Sequence, residues 1–146
     1  MDTEEEVTGA LAALQRRSPE ELAAFIVSLV CGAPLGVRSY VEAFIAAAEP
    51  SRVATVVRRE ISALRMGERE YDVRHRRSAE IVARAGYTLG AIERVVLPSH
   101  PALARKLLCE LLDAEQQIAE QCSEDDFGAE ELFTRVRRLL SVTTER

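Results

Sequence analysis

The stretch "RSPEELAAFIVSLVCGAP", residues 17–34, contains the start and the end of one helix and thereby indicates the fold class. Ser18 is typical of a residue that caps a helix, Pro19 suits the first helical position, and Glu21 completes a capping box. Gly32, which a proline follows two residues later, ends the helix. Because the interior of this helix is apolar on almost every side, the pattern predicts that it is the most buried helix of the fold.

The rest of the chain has the same helical periodicity. Apolar residues recur every three or four positions, and polar or proline-containing turns separate the periodic segments. The sequence has no alternating strand pattern and no hairpin dipeptide. We therefore predict an all-α protein, residues 1–146 forming a single domain, with about six to seven antiparallel helices in a bundle or a short solenoid of helical hairpins. The predicted helices cover residues 3–16, 17–32, 37–48, 51–66, 76–97, 102–121 and 128–141.

Two packing details follow from the pattern. In the third predicted helix Phe44 and Ile45 belong to an apolar stripe that we expect to point inward. In the fifth helix Gly86 and Gly90 lie four residues apart on one face. Because glycine lacks a side chain, both positions are predicted sites of close helix–helix packing.

Composition limits the class of protein. The chain has 146 residues, of which 47% are hydrophobic and 29% charged, and its net charge is −5. These values are typical of a globular domain with a substantial core. No apolar run reaches the ~18–20 residues that cross a bilayer, and the start "MDTEEEV" is acidic where a signal peptide is basic. We expect a cytoplasmic protein that has no contact with membranes.

The three cysteines indicate a reducing compartment. An odd number of cysteines fits free thiols, and Cys109 and Cys122 on one helix would be ~20 Å apart, too far for a disulfide. We expect the thiols to be buried and to fill core space. A zinc site built from His100 and the cysteines Cys31, Cys109 and Cys122 has no diagnostic spacing. The sequence therefore predicts no metal and no cofactor.

The usual catalytic motifs are missing from the sequence. It contains no Gly-x-Ser-x-Gly elbow, no glycine-rich phosphate loop, no His-Glu-x-x-His and no Cys-x-x-Cys. Each of these motifs is fairly specific for its chemistry. We therefore predict no catalytic residues, and the sequence favours a protein that is not an enzyme.

Charge is distributed unevenly along the chain. Residues 73–106 carry a balance of +5, whereas residues 1–72 carry −4 and residues 107–146 carry −6. Guanidinium groups make forked hydrogen bonds with phosphates and carboxylates, so this distribution predicts a binding surface. The alternative is a solvated surface that the acidic flanks of the protein balance. We define the basic patch as Arg58, Arg59, Arg74, His75, Arg76 and Arg77.

The second candidate site is an acidic loop formed by Glu124, Asp125 and Asp126. These acids are contiguous, so their side chains diverge, whereas an EF-hand alternates its calcium ligands over twelve residues. A polar turn in which Asp125 or Asp126 caps the next helix accounts for them without chemistry. Cation binding and contact with a partner are the two alternatives.

Five segments recur in a characteristic order in the C-terminal part of the chain: Arg58-Arg59-Glu60-Ile61, Tyr71-Asp72, Pro101-Ala102-Leu103-Ala104, Asp125-Asp126 and Gly128. Together they resemble a bacterial helical domain of unknown function. That family occurs in larger proteins, some of which carry a SWIM-type zinc finger. The resemblance implies a repeat-like α-helical fold and no assigned activity. The sequence departs from the family in two respects: Phe127 stands where the family's Asp-Asp-Ser-x-Gly loop has serine, and no Cys-x-Cys pair of a zinc finger is present. The resemblance covers about 90 C-terminal residues.

These observations favour a non-catalytic α-helical module for protein–protein interaction, such as an adaptor, which has a protein partner. The first alternative is a nucleic-acid-associated accessory protein that uses Arg74–Arg77 on phosphates. Negative net charge and the absence of aromatic residues between the arginines weigh against it. The second alternative is a metal-dependent module that uses Glu124–Asp126. A homo-oligomer formed through an apolar helix face is compatible with the sequence.

Overall fold

The computed structural model describes residues 3–33, 35–66, 74–122 and 128–144, and of residues 32, 35, 74–78 and 144 it describes the backbone alone. The described residues form helices and no strand, which confirms the all-α class. A π-helical segment, Ile92–Val96, continues the fifth helix. The α-helices are α1 (Glu4–Gln15), α2 (Pro19–Gly32), α3 (Leu35–Ile45), α4 (Pro50–Met66), α5 (Arg74–Ala91), α6 (Pro101–Asp113), α7 (Glu115–Glu120) and α8 (Gly128–Thr144).

The chain divides into two compact units, Met1–Pro34 and Leu35–Arg146. The first contains α1 and α2, and the second contains α3 to α8. The prediction of a single domain stays a prediction, because a division into compact units does not decide whether each unit folds alone. The predicted helix over residues 102–121 is two helices, which are separated at Ala114.

Local signals in the sequence explain where α1 and α2 begin. The Thr3 hydroxyl accepts a hydrogen bond from the Glu6 backbone N–H, and the Glu6 carboxylate accepts one from the Thr3 N–H, so the two residues form a capping box. The Ser18 hydroxyl accepts a hydrogen bond from the Glu21 N–H at 3.1 Å, as predicted. The Glu21 carboxylate forms an ion pair with Arg17 at 3.3 Å. The Glu21 carboxylate therefore balances the positive charge of Arg17 at the start of α2.

The core of the second unit lies where α5 packs against α3, α4 and α8, and where α6 packs against α4 and α8. The inward positions that periodicity predicts in α4, α5, α6 and α8 are largely buried. Val53, Leu89 and Phe133 are three examples. The other large, fully buried side chains are Val57, Ile92, Val96, Leu107, Leu108, Leu111, Ile118 and Val136.

Helix α3 is oriented differently from the prediction. Phe44 and Ile45 are 65% and 70% exposed, whereas Ala43 and Ala46 are buried. Helix α3 has one apolar side with large residues and another with small residues. The side with small residues faces the core, because small side chains allow α5 to approach α3 closely. The prediction was therefore wrong for Phe44 and Ile45, whereas Tyr40 of the same apolar stripe packs against the core.

The close approach of α3 and α5 depends on glycine. A Cβ atom at Gly36 would lie 3.1 Å from a ring carbon of Tyr87 and 3.2 Å from the Cα atom of Arg84. A Cβ atom at Gly90 would lie 3.4 Å from the Tyr40 ring, which supports the prediction of close packing there. A Cβ atom at Gly86 would meet nothing within 4 Å, so the prediction was wrong for that residue.

We expect Gly36→Ala to destabilise the protein by about 1–2 kcal/mol, because overpacking at a helix contact outweighs the gain in helix propensity. Gly86→Ala is the matched control. It adds the same methyl group in open space inside a helix and should stabilise the protein by about 0.5–1 kcal/mol. Urea unfolding of both variants measures the difference. An equal effect of the two substitutions would contradict the packing explanation.

Candidate functional site

The structure describes the side chains of the basic patch only at Arg58 and Arg59, on α4. Arg58 Nε donates to both carboxylate oxygens of Glu110, at 3.0 and 3.1 Å. Arg59 donates to Glu42 on α3. Both pairs are about half exposed. A phosphate or an acidic partner would therefore have to displace a carboxylate from each arginine.

The remaining patch residues form the start of α5. The backbone of Arg74, His75, Arg76 and Arg77 occupies the first turn of that helix, and their side chains lie outside the described residues. The acidic loop, Glu124, Asp125 and Asp126, also lies outside the described residues, between α7 and α8. Both sites stay predictions.

The cysteines and His100 do not assemble a metal site in the described part of the chain. No group of three or more histidine, cysteine, aspartate or glutamate side chains lies close enough together there to hold a metal ion. Cys31 and Cys109 are exposed, so the prediction of buried thiols was wrong for these two residues, whereas Cys122 is partly buried and packs against the core. His100 Nε2 donates to the carbonyl oxygen of Ala47 at 2.8 Å, so the side chain tethers two turns, and His100 occupies the N-cap position of α6 without a side-chain capping hydrogen bond.

A buried ion pair lies inside the second unit, between α4 and α5. Arg84 Nε and Nη2 donate to the two carboxylate oxygens of Glu60 at 2.7 and 2.8 Å, and both side chains are less than 10% exposed. Burial opposes ionisation of Glu60. Hydrogen bonds from Arg84 and Ser39 and the positive charges of Arg84 and Arg59 outweigh that effect and hold the pKa of Glu60 below its usual value. The two side chains satisfy each other's charge and hydrogen-bonding groups. The pair therefore offers no open position for a substrate.

The first unit has the opposite character, because its apolar side chains are exposed. None of the described side chains of α1 or α2 is buried, and the two helices do not pack along their length. The prediction that α2 is the most buried helix was therefore wrong. We define the apolar surface of the first unit as Val7, Leu11, Leu14, Phe25, Ile26, Val27 and Leu29, whose exposure ranges from 40% to 61%.

The two helices converge near the turn that joins them. An open groove of about 320 Å³ lies there, lined by Leu14, Arg17, Glu21, Leu22 and Phe25. Apolar side chains from both helices therefore face a common space, and the Arg17–Glu21 ion pair lies at its edge. In the part of the chain that the structure describes, no helix is long and apolar enough to cross a bilayer.

The sequence already contained a signal for this surface. Helix α1 offers only a narrow apolar stripe, Val7, Leu11 and Leu14, and the positions between are mostly Gly and Ala. So narrow a stripe cannot cover α2, which is apolar on almost every side. Comparing the width of the apolar stripe on α1 with that on α2 would therefore have predicted that apolar residues of α2 are exposed.

No family model, curated protein or solved structure matches this chain. The resemblance to the SWIM-associated helical domain therefore stays a prediction. The geometry alone defines an all-α protein with a closed core in one unit and an apolar surface on the other.

Proposed function

We propose that this chain is a non-catalytic α-helical interaction module in which α3 to α8 form a stable helical bundle and α1 and α2 bind a protein partner. The exposed apolar surface of the first unit carries the proposal. Soluble monomers rarely expose large contiguous apolar patches, and such patches are typical of interaction sites. The same reasoning supports an adaptor role in which one unit provides stability and the other provides recognition.

The expected strength of the interaction follows from the exposed area. Burying seven side chains that are about half exposed contributes roughly 5–10 kcal/mol. The loss of translational and rotational freedom on association costs about 4–15 kcal/mol. Apolar contact alone is therefore insufficient for tight binding. The partner must add polar contacts to the charged ends of α1.

The experiment compares two variants in affinity capture from a lysate of the source cell, followed by mass spectrometry. Phe25→Glu combined with Leu29→Glu places two charges within the apolar surface and should reduce recovery of bound proteins at least tenfold. Phe44→Glu is the matched control. Combined with Ile45→Glu, it introduces the same two charges at exposed apolar residues of the second unit and should leave recovery unchanged.

Two outcomes would contradict the proposal. The first is equal recovery of the same proteins with the wild type and both variants. The second is loss of all bound proteins after nuclease treatment, which would favour the nucleic-acid alternative. Circular dichroism of each variant checks that helicity is retained.

A further inference from the structure

We propose that the second unit carries a binding site for a phosphate group in the hollow between α4 and α6. The inference goes beyond the proposed function, because it uses no residue of the first unit. The hollow has a volume of about 190 Å³ and is lined by Arg58, Ile61, Ser62 and Arg65 on α4 and by Glu110 on α6. Pockets for drug-sized ligands usually exceed about 300 Å³. The hollow therefore suits a single anionic group and not a whole cofactor.

The three polar residues of α4 lie on one side of the helix. Arg58, Ser62 and Arg65 are four and three residues apart, the spacing that places side chains on one face of an α-helix. The two arginines are ~10 Å apart along the helix axis, and their side chains are long enough to converge on the space between them. Two guanidinium groups and a hydroxyl can therefore donate to one anion.

An oxyanion of the protein itself already occupies part of this site. Arg58 Nε donates to both carboxylate oxygens of Glu110, at 3.0 and 3.1 Å. A guanidinium group has five N–H donors, and the Nη groups of Arg58 donate to no residue that the structure describes. One donor therefore serves both oxygens of Glu110, and the other four donors of Arg58 have no protein acceptor in the described part of the chain.

The other two polar residues of α4 in the hollow have no partner among the described residues. Arg65 and Ser62 are exposed. The Arg65 guanidinium makes no ion pair with a described residue, and the Ser62 hydroxyl makes no hydrogen bond with one. The lining residues carry two positive charges and one negative charge, so one positive charge is uncompensated. The hollow thus offers an anion both charge and hydrogen-bond donors.

A phosphate group matches these donors better than the Glu110 carboxylate does. A phosphate monoester presents three oxygens and about two negative charges near pH 7, whereas a carboxylate presents two oxygens and one charge. In the place of Glu110, phosphate accepts a forked pair of hydrogen bonds from Arg58, and Ser62 and Arg65 donate to the remaining oxygens. A half-exposed ion pair changes an equilibrium constant by about fivefold at most. Glu110 is therefore an exchangeable occupant of the site.

The first measurement titrates the purified full-length chain with inorganic phosphate at constant ionic strength and follows the backbone amide signals by two-dimensional NMR. We expect saturable shifts around Ser62 on α4 and around Glu110 on α6, with a dissociation constant on the order of 1 mM. Chloride at the same ionic strength should cause no saturable shift. O-phosphoserine identifies the source of the phosphate group: binding as tight as that of inorganic phosphate indicates phosphate monoesters, and weaker binding indicates the free ion.

Three variants test the geometry. Arg65→Gln removes one charge and its forked donors, and should weaken phosphate binding about fivefold or more. Glu110→Gln removes the competing carboxylate and should strengthen binding about threefold to tenfold. Arg38→Gln is the matched control, because Arg38 is exposed, lies outside the hollow and makes no ion pair with a described residue. It should leave the affinity within about twofold of the wild type.

The absence of saturable shifts up to phosphate concentrations on the order of 20 mM would overturn the proposal, and so would shifts that spread evenly over the chain. Equal weakening by Arg65→Gln and Arg38→Gln would reduce the binding to unspecific attraction and overturn the site. Weaker binding by Glu110→Gln would overturn the exchange of carboxylate for phosphate. Each of these failures would leave the proposed function intact, because that function depends on the apolar surface of the first unit.

Discussion

Replacing Glu60 with leucine should lower the free energy of unfolding by about 3–5 kcal/mol. The substitution keeps the volume of the side chain but leaves the Arg84 guanidinium buried without its carboxylate. A buried charge that loses its counter-ion is far less stable than one that retains it. The melting temperature should fall by about 12–20 °C in a domain of this size, and thermal unfolding followed by circular dichroism measures the change.

Two further variants separate the ion pair from general effects of mutation. Combining Glu60→Leu with Arg84→Met removes both charges and should recover most of the lost stability, because the cost of desolvation disappears with them. Glu42→Leu disrupts the exposed pair with Arg59 and should cost no more than about 1 kcal/mol. A double variant as unstable as Glu60→Leu would show that the pair is not the cause.

The pH dependence provides a check on the same residue. The pKa of Glu60 is lower in the folded protein than its usual value of 4.5. The folded state therefore binds fewer protons at this site than the unfolded state, and the carboxylate contributes its full stabilisation at pH values above about 4.5. The contribution is lost as the pH falls through the lower, folded-state pKa. The stability difference between the wild type and Glu60→Leu should accordingly shrink below pH 4.5.

Periodicity predicted the helices well because their ends carry local signals. Ser18 and Pro19 mark the start of α2, and a proline also begins α6, at Pro101. These signals act over three or four residues and need no knowledge of the tertiary structure. The burial of Val53 and Leu89 was predictable for a similar reason, since each helix has one apolar stripe opposite a charged face.

The features that the sequence did not predict depend on contacts between distant segments. Glu60 and Arg84 are 24 residues apart, and nothing local distinguishes them from the exposed charges of α4 and α5. Their pairing arises only when α4 packs against α5. The orientation of α3 was missed because hydrophobicity favours its larger apolar side, whereas close packing favours its smaller one.

The candidate site was missed for a different physical reason. Apolar periodicity predicts which face of a helix will be buried. It does not indicate whether the residues that bury this face come from the same chain or from a partner. Helix α2 satisfies the rule for a buried helix, yet Phe25 is 55% exposed. A protein partner bound to the first unit would bury the same residues that the rule assigns to the core.

Replacing Phe133 with alanine should destabilise the protein by about 3–5 kcal/mol. The side chain is 1% exposed and belongs to α8, which packs against α5 and α6. Its removal forfeits apolar burial and leaves a cavity that the surrounding helices fill only partly. Because domains are stable by only about 5–15 kcal/mol, this loss is a large fraction of the total. Chemical unfolding of the purified variant and of the wild type measures it.

Phe25→Ala is the informative comparison, because it removes the same ring from the first unit. Under the same conditions it should change the free energy of unfolding by less than about 1 kcal/mol, as expected at an exposed position. It should nevertheless weaken binding of the protein partner that we propose, whereas Phe133→Ala should leave the apolar surface of the first unit chemically intact. If Phe25→Ala lowered stability as much as Phe133→Ala, the ring would belong to a core. The division between a stabilising unit and a recognition unit would then be wrong.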